Sequence, residues 1–181
     1  MGVMLSPVVT DADRAAVARQ LGREPRTLRR VAVRCPFGAP AVTEQSPYGA
    51  DGEPFPTTYY LTCSYLVTAL ARIEAAGGVE RWSRAAADDP TLAASLAAAT
   101  EDQRRIRHEL ADVAGESDGG ASLDLGIGGA SSRTHLKCLH AHAAYALARP
   151  GYALGQRVLT EVQPPWPVVG CCSEVLQSPT I

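Results

Sequence analysis

No stretch of the 181 residues approaches the run of about 18 apolar residues that a membrane-crossing helix needs, so a membrane partner is not expected. The start, Met1-Gly-Val-Met-Leu-Ser-Pro7, is too short and too uncharged to predict a secretory signal. An excess of either charge is also missing. Lys and Arg number 17 against 19 Asp and Glu, and the formal charge of −2 removes the general reason to expect nucleic acid or an acidic surface as partner. The chain is poor in lysine, and its basic residues are almost all arginine. There is no Cys-x-x-Cys knuckle, no internal repeat and no low-complexity tail. Five cysteines, an odd number, do not suit a closed disulfide framework. The expected compartment is a reducing cytoplasm, where cysteines bind metal, react or pack. What remains is ordinary: 46% hydrophobic and 20% charged residues predict one globular domain over 1–181, with 1–9 and 173–181 as flexible ends.

The local signals predict an α+β chain. Thr10-Asp-Ala-Asp13 reads as a cap for a helix that carries Val17 and Leu21 and stops at Gly22. Arg23, Arg26, Arg29, Arg30 and Arg34 follow, either as a solvated edge or as a phosphate-binding patch. Arg30 to Cys35 alternates and is β-branched, Ala41 to Gln45 returns as its hairpin partner, and Thr57 to Cys63 has the composition of a third strand. Ser64 is placed to cap a helix over Tyr65 to Ala76 with Leu66, Leu70 and Ile73 on its buried stripe. A short helical piece holds Val79 and Trp82. Asp88-Asp-Pro90 opens a long helix to about Val113, with Leu92, Leu96, Ala99, Ile106 and Leu110 in register and Gln103 as the polar interruption. Residues 115–129 read as loop, and Leu154 to Val162 as a last short helix. The expected architecture is a small antiparallel sheet of about three strands packed against four to six helices.

The stretch from Arg133 to Ala148 concentrates the chemistry. Three of the four histidines and one of the five cysteines fall within eight residues there. If the whole stretch is helical, Cys138 and His142 stack one turn apart, His135 and Tyr145 lie near the same line, and His140 points away among leucines. Such a pair of soft donors can grip a metal ion. Cys35 and Cys63 stand at strand ends and Cys171 and Cys172 in the tail, so three or four donors can converge on a tetrahedral site. Thiolate and imidazole suit zinc first; iron, or an iron–sulfur cluster needing mostly thiolates, comes second. The alternative for each cysteine is a small buried hydrophobe. A second chemistry uses the same residues: Cys138 as nucleophile, His140 beside it, and Tyr59 or Tyr60 orienting substrate or acting as acid. Lys137 and Arg133 beside Gly126 to Gly129 suggest an anion site at a helix start, with a plain glycine-hinged loop as the other reading.

Several strings resemble a family, the actinobacterial domain of unknown function 501. They are Arg34-Cys-Pro-Phe-Gly-Ala-Pro40, Pro54-Phe-Pro-Thr-Thr-Tyr-Tyr-Leu-Thr-Cys63, Arg72-Ile-Glu-Ala-Ala-Gly77, Lys137-Cys-Leu-His140 and Trp166 to Cys171. The resemblance implies small cytoplasmic proteins without an established activity. It favours Cys35, Cys138 and His140 as metal ligands because they lie inside the strings. It favours Cys63 because Cys or His stands at that position in relatives. His142 is outside the string, so the resemblance pairs Cys138 with His140 where helical stacking pairs it with His142. Ser64, Tyr145 and Tyr152-Ala-Leu-Gly155 depart from the family pattern, which suggests a specialised paralogue such as an enzyme of a biosynthetic pathway. The functional expectation is therefore a cytoplasmic metal-binding protein with a Cys/His site between the strand ends and the helix at 133–149. The alternatives are a metal-independent cysteine hydrolase or transferase, or a non-catalytic interaction module, with a homodimer as an open assembly state.

Overall fold

The computed structural model describes residues 9–111, 117–132 and 134–172. The chain runs through a first helix α1 (Asp11–Leu21) and strands β1 (Leu28–Arg34), β2 (Pro40–Gln45) and β3 (Tyr59–Leu61). Five more helices follow, α2 (Ser64–Ala75), α3 (Gly78–Asp88), α4 (Pro90–Leu110), α5 (Leu139–Ala148) and α6 (Ala153–Thr160). Two short 3-10 turns, Ala121–Asp124 and Ile127–Gly129, interrupt the expected loop between α4 and α5. The α+β expectation of three antiparallel strands and up to six helices holds.

The ends of the helices follow their cap chemistry. The Thr10 hydroxyl accepts the Asp13 N–H at 3.0 Å, and Gly22 closes α1 in the left-handed region at φ 66°. Asp89 accepts from Thr91 and Leu92 N–H, with Pro90 in the first turn of α4. At α2 the expected cap moves back one residue: Cys63, not Ser64, stands at the N-cap and makes no side-chain cap bond. Helix α4 ends at Leu110, before the expected Val113, which lies outside the described residues.

The sheet has the order β1-β2-β3, with both pairings antiparallel. Strand β2 is central and buried along its whole length, so its Glu44 and Gln45 are carried inside; Arg30 Nη2 reaches Glu44 at 2.7 Å from β1. Helix α5 is the axis of the molecule. It packs against α6, β3, α2 and the sheet, and seven of its ten residues are buried. A run of alanines makes this feasible, because small side chains let neighbouring backbones approach closely. Gly155 of α6 shows how closely: a Cβ there would meet the carbonyl oxygen of His142 at 2.6 Å and the Ala146 Cβ at 2.7 Å.

One sequence expectation fails in a way that matters for the site. The helix does not begin at Arg133, which lies outside the described residues, but at Leu139. Before it, Ser132 accepts the Thr134 and His135 N–H groups and the Leu136 N–H donates to Ser83 Oγ at 3.0 Å. Cys138 is the N-cap residue in extended conformation, with φ −160° and ψ 127°. The one-turn stacking of Cys138 on His142 assumed helical backbone at both positions, and Cys138 does not have it. His135 likewise stands off the helix.

Candidate metal centre at the junction of two helices

The last turn of α2 meets the first turn of α5, and three donor atoms converge there. Cys138 Sγ lies 3.5 Å from His140 Nδ1, and His140 Nδ1 lies 3.1 Å from Glu74 Oε1. Among the described residues this is the one place where three such side chains offer donor atoms within 4.8 Å of one another. The same Glu74 oxygen accepts the backbone N–H of Leu139 at 2.5 Å. Glu74 therefore also caps α5, satisfying an N–H that the first turn leaves without an internal partner.

The imidazole is fixed in one sense by its other edge. His140 Nε2 lies 3.0 Å from the carbonyl oxygen of Val67, on α2 one turn from the Cys63 cap. A carbonyl only accepts, so Nε2 carries a hydrogen and donates it. Nδ1 is left facing the carboxylate and the sulfur, where it serves either as a second N–H donor or as a lone pair toward a cation. The Cys138 sulfur is the largest influence lifting His140 to about 9; burial opposes it, and the Val67 carbonyl and Glu74 reinforce it. The imidazole and carboxylate are 22% and 25% exposed, so the junction is reachable from solvent.

Cys138 and His140 also line a cavity of about 310 Å³ whose other walls include Tyr59, Tyr60, Leu61 and Val67. Gly128 closes one side, and a Cβ there would meet Ala141 Cβ at 3.0 Å. Tyr59 is buried, stacked edge-on against Tyr145, and its hydroxyl is pushed above the usual phenol range first by burial and then by Glu44. The three residues expected to carry catalysis, Cys138, His140 and Tyr59, thus share one cavity.

The remaining expected ligands are placed elsewhere. Cys63 is buried at the start of α2, and its sulfur lies 3.6 Å from that of Cys172. Cys35, buried in the turn after β1, has Cys171 as its thiol neighbour, and burial pushes its pKa up. His142 lies deep between α5 and α6, 1% exposed, with Nδ1 2.6 Å from the Tyr152 hydroxyl. Its Nε2 has no hydrogen-bond partner among the described residues, and burial drives its pKa down to about 3. The six expected ligands are therefore divided: Cys138 and His140 in one group, Cys35, Cys171 and Cys63 in a second series of neighbouring thiols linked through Cys172, and His142 alone.

Two further expectations are revised. Arg34 is held by Asp13 in a bidentate pair at 2.8 and 2.9 Å, and Arg30 and Arg29 pair with Glu44 at 2.7 and 3.8 Å, so three members of the arginine run serve intramolecular pairs. In the glycine loop, Gly126 N–H donates to Ala130 O and Gly129 N–H to Gly126 O, while Glu74 occupies the start of α5. The carboxylate takes the place at this helix end that the anion-site reading gave to a ligand, and the plain glycine loop is the reading that fits. Sequence reasoning missed Glu74 and the Val67 carbonyl. Glu74 does lie inside the string Arg72-Ile-Glu-Ala-Ala-Gly77, which was the one signal for it.

No helix among the described residues is long and apolar enough to cross a membrane. No curated protein and no solved structure matches the chain. The family of proteins of unknown function DUF501 matches residues 31–160, a span that holds Glu74, Cys138 and His140 and stops short of Cys171, and the chain belongs to that family.

Proposed function

We propose that the protein binds a divalent metal ion, zinc before iron, through Glu74 carboxylate, Cys138 thiolate and His140 Nδ1. The observation that carries this reading is the spacing of the donors. Zinc holds sulfur at about 2.3 Å and nitrogen or oxygen at about 2.0–2.2 Å, which in a tetrahedron separates ligand atoms by about 3.3–3.7 Å. The sulfur–nitrogen separation here, 3.5 Å, falls in that range, and the nitrogen–oxygen separation, 3.1 Å, is about 0.2 Å short of it. The Val67 carbonyl supplies the support that metal-bound imidazoles usually have, a hydrogen-bond acceptor on the far nitrogen that fixes ring and tautomer. One sulfur, one nitrogen and one oxygen suit zinc and disfavour an iron–sulfur cluster, which takes mostly thiolates.

Three protein ligands would leave a fourth position, and two of them, Cys138 and His140, line the 310 Å³ cavity. That pattern belongs to catalytic rather than closed structural zinc. A metal there would lower the pKa of a bound water and supply hydroxide, with Tyr59 and Tyr60 on the cavity wall to orient a small substrate. The functional reading is a small cytoplasmic metal-dependent enzyme acting on a compact substrate.

Elemental analysis of full-length protein prepared without a metal-affinity tag tests it. The expected result is close to one zinc per chain, lost in Cys138→Ser and reduced in Glu74→Gln. Protein that stays metal-free after zinc loading and dialysis overturns the reading. The second reading rests on the same 3.5 Å sulfur–imidazole contact: Cys138 as a metal-independent nucleophile with His140 as its base. Metal-free protein in which Cys138 is alkylated well ahead of the other cysteines supports that alternative. Uniformly slow labelling leaves a non-catalytic interaction module.

A further inference from the structure

Away from the metal centre, the tail folds back over the start of α2. The Tyr65 hydroxyl donates to the Pro164 carbonyl at 2.7 Å, and Arg81 and the Trp82 indole both donate to Glu161. These contacts bring Cys172 to Cys63, with sulfurs 3.6 Å apart across 109 residues of sequence. The two thiols differ. Cys63 is 2% exposed, and burial pushes it up to about 12. Cys172 is only partly buried and borders a groove of about 580 Å³ between α2 and the tail. Burial acts against its thiolate too, but the Ser64 hydroxyl, the Tyr65 backbone N–H and the Cys63 and Cys171 thiols outweigh it and hold Cys172 below the ordinary thiol range.

We propose that Cys172 and Cys63 form a redox-active dithiol in which Cys172 attacks a low-molecular-weight organic disulfide and Cys63 resolves the product. The Cys172 thiolate attacks one sulfur of the disulfide, forming a mixed disulfide and releasing one small thiolate. Cys63 then loses its proton to solvent and attacks Cys172 Sγ, forming the Cys63–Cys172 bond and releasing the second small thiolate. Two protein thiols are oxidised by two electrons, and one organic disulfide is reduced to two thiols. Bond formation needs the sulfurs to close from 3.6 Å to about 2.05 Å, a shift within reach of a tail residue. The first step is favoured by an accessible, stabilised thiolate; the second is slowed by the buried, high-pKa partner, so the mixed disulfide accumulates between them. The inference is independent of the metal centre, because neither cysteine belongs to the Glu74–Cys138–His140 group.

The test uses reduced full-length protein, freed of reductant and exposed to oxidised glutathione at neutral pH. Samples are quenched with acid, alkylated and mapped by mass spectrometry without reduction. The expected order is a glutathione adduct on Cys172, followed by a peptide linking Cys63 to Cys172. Cys172→Ser abolishes that linkage and slows any adduct at Cys63 by more than about tenfold. Cys63→Ala stops at the Cys172 adduct. A first adduct on Cys35, Cys63 or Cys171 overturns the proposal. So does a product linked Cys35–Cys171 or Cys171–Cys172, or a Cys172 adduct that never resolves. The wild-type map alone decides among these, so a variant that fails to fold does not blunt the test.

Discussion

Helix α5 carries two polar groups that differ in how completely they are satisfied. At its start, His140 and Cys138 line a cavity, and His140 Nδ1 lies within reach of both the thiol and the Glu74 carboxylate. Further along, Asp102 of α4 accepts from the Tyr145 hydroxyl at 2.6 Å, from Arg149 twice at 3.0 Å and from Arg105 at 2.6 Å. Tyr145 stacks edge-on with Tyr59 and Tyr152, and Tyr152 binds His142. Within the second group the carboxylate has donors on both oxygens and holds the helix in place. His142 Nε2 is that group's one buried side-chain polar atom without a hydrogen-bond partner among the described residues. The first group leaves coordinating capacity open. Two histidines separated by a single residue thus have opposite surroundings: His140 is lifted to about 9, first by the Cys138 sulfur, while burial takes His142 down to about 3. Residue type fixes what an imidazole can do; the turn of the helix it occupies decides what it does.

The comparison can be tested by breaking each group. The largest effect is expected where the second group is built on close backbone approach. Gly155→Ala should lower unfolding free energy by about 3 kcal/mol in denaturant titration, because its Cβ would strike the His142 carbonyl and Ala146. Next comes zinc binding: His140→Ala should weaken it by about 100-fold in competition titrations with a chromogenic chelator, while His142→Ala stays within about threefold. Equal losses in the two variants would erase the distinction drawn between them.

Stability should show the reverse order. With chelator present, His142→Ala is expected to cost about 2 kcal/mol, since it opens a buried hole and leaves the Tyr152 hydroxyl without its 2.6 Å partner. Tyr145→Phe should cost about 1.5 kcal/mol, the low end for a hydrogen bond to a charged group, because the carboxylate keeps its arginine partners. His140→Ala should cost about 1 kcal/mol or less, because its ring is partly solvated.

The smallest effect concerns acid. Burial works against the Asp102 charge, but the Tyr145 hydroxyl, Arg105 and Arg149 together hold its carboxyl below the usual range. The folded state therefore binds this proton less readily than the unfolded state. The contribution to stability is complete above about pH 4, the ordinary carboxylate value, and declines as pH falls through and below it. Asp102→Asn should flatten that limb of the curve below about pH 4, read from denaturation midpoints; an unchanged limb would assign acid sensitivity to other carboxylates.

Much of the architecture was legible residue by residue. Thr10, Asp89-Pro90 and Gly22 mark helix ends by chemistry local to a few residues, and the Leu92, Leu96, Ala99 and Ile106 stripe forecasts the buried face of α4. Gln103, the polar interruption in that stripe, is buried and donates to the Leu125 carbonyl, a partner 22 residues away that no local pattern announces. The site was half legible. The string Lys137-Cys-Leu-His140 put Cys138 and His140 side by side, whereas helical stacking chose His142 because it extended the helix back through Cys138. Ser132 and Ser83 take backbone N–H groups ahead of α5 and delay its start, and Ser83 lies 53 residues from the Leu136 N–H that it accepts.

By itself, then, the sequence determined the α+β class, most of the helix caps and the buried stripes, because each depends on residues within a few positions of one another; it singled out Cys138 but offered both His140 and His142 as its partner. Tertiary structure alone decided that Glu74 joins Cys138 and His140 from 66 residues away, that Val67 turns the His140 imidazole toward them, and that Cys172 meets Cys63. Those pairings depend on how α2 lies against α5 and on how the tail returns to α2. That packing is set by the summed burial of many side chains, which no short string of residues encodes.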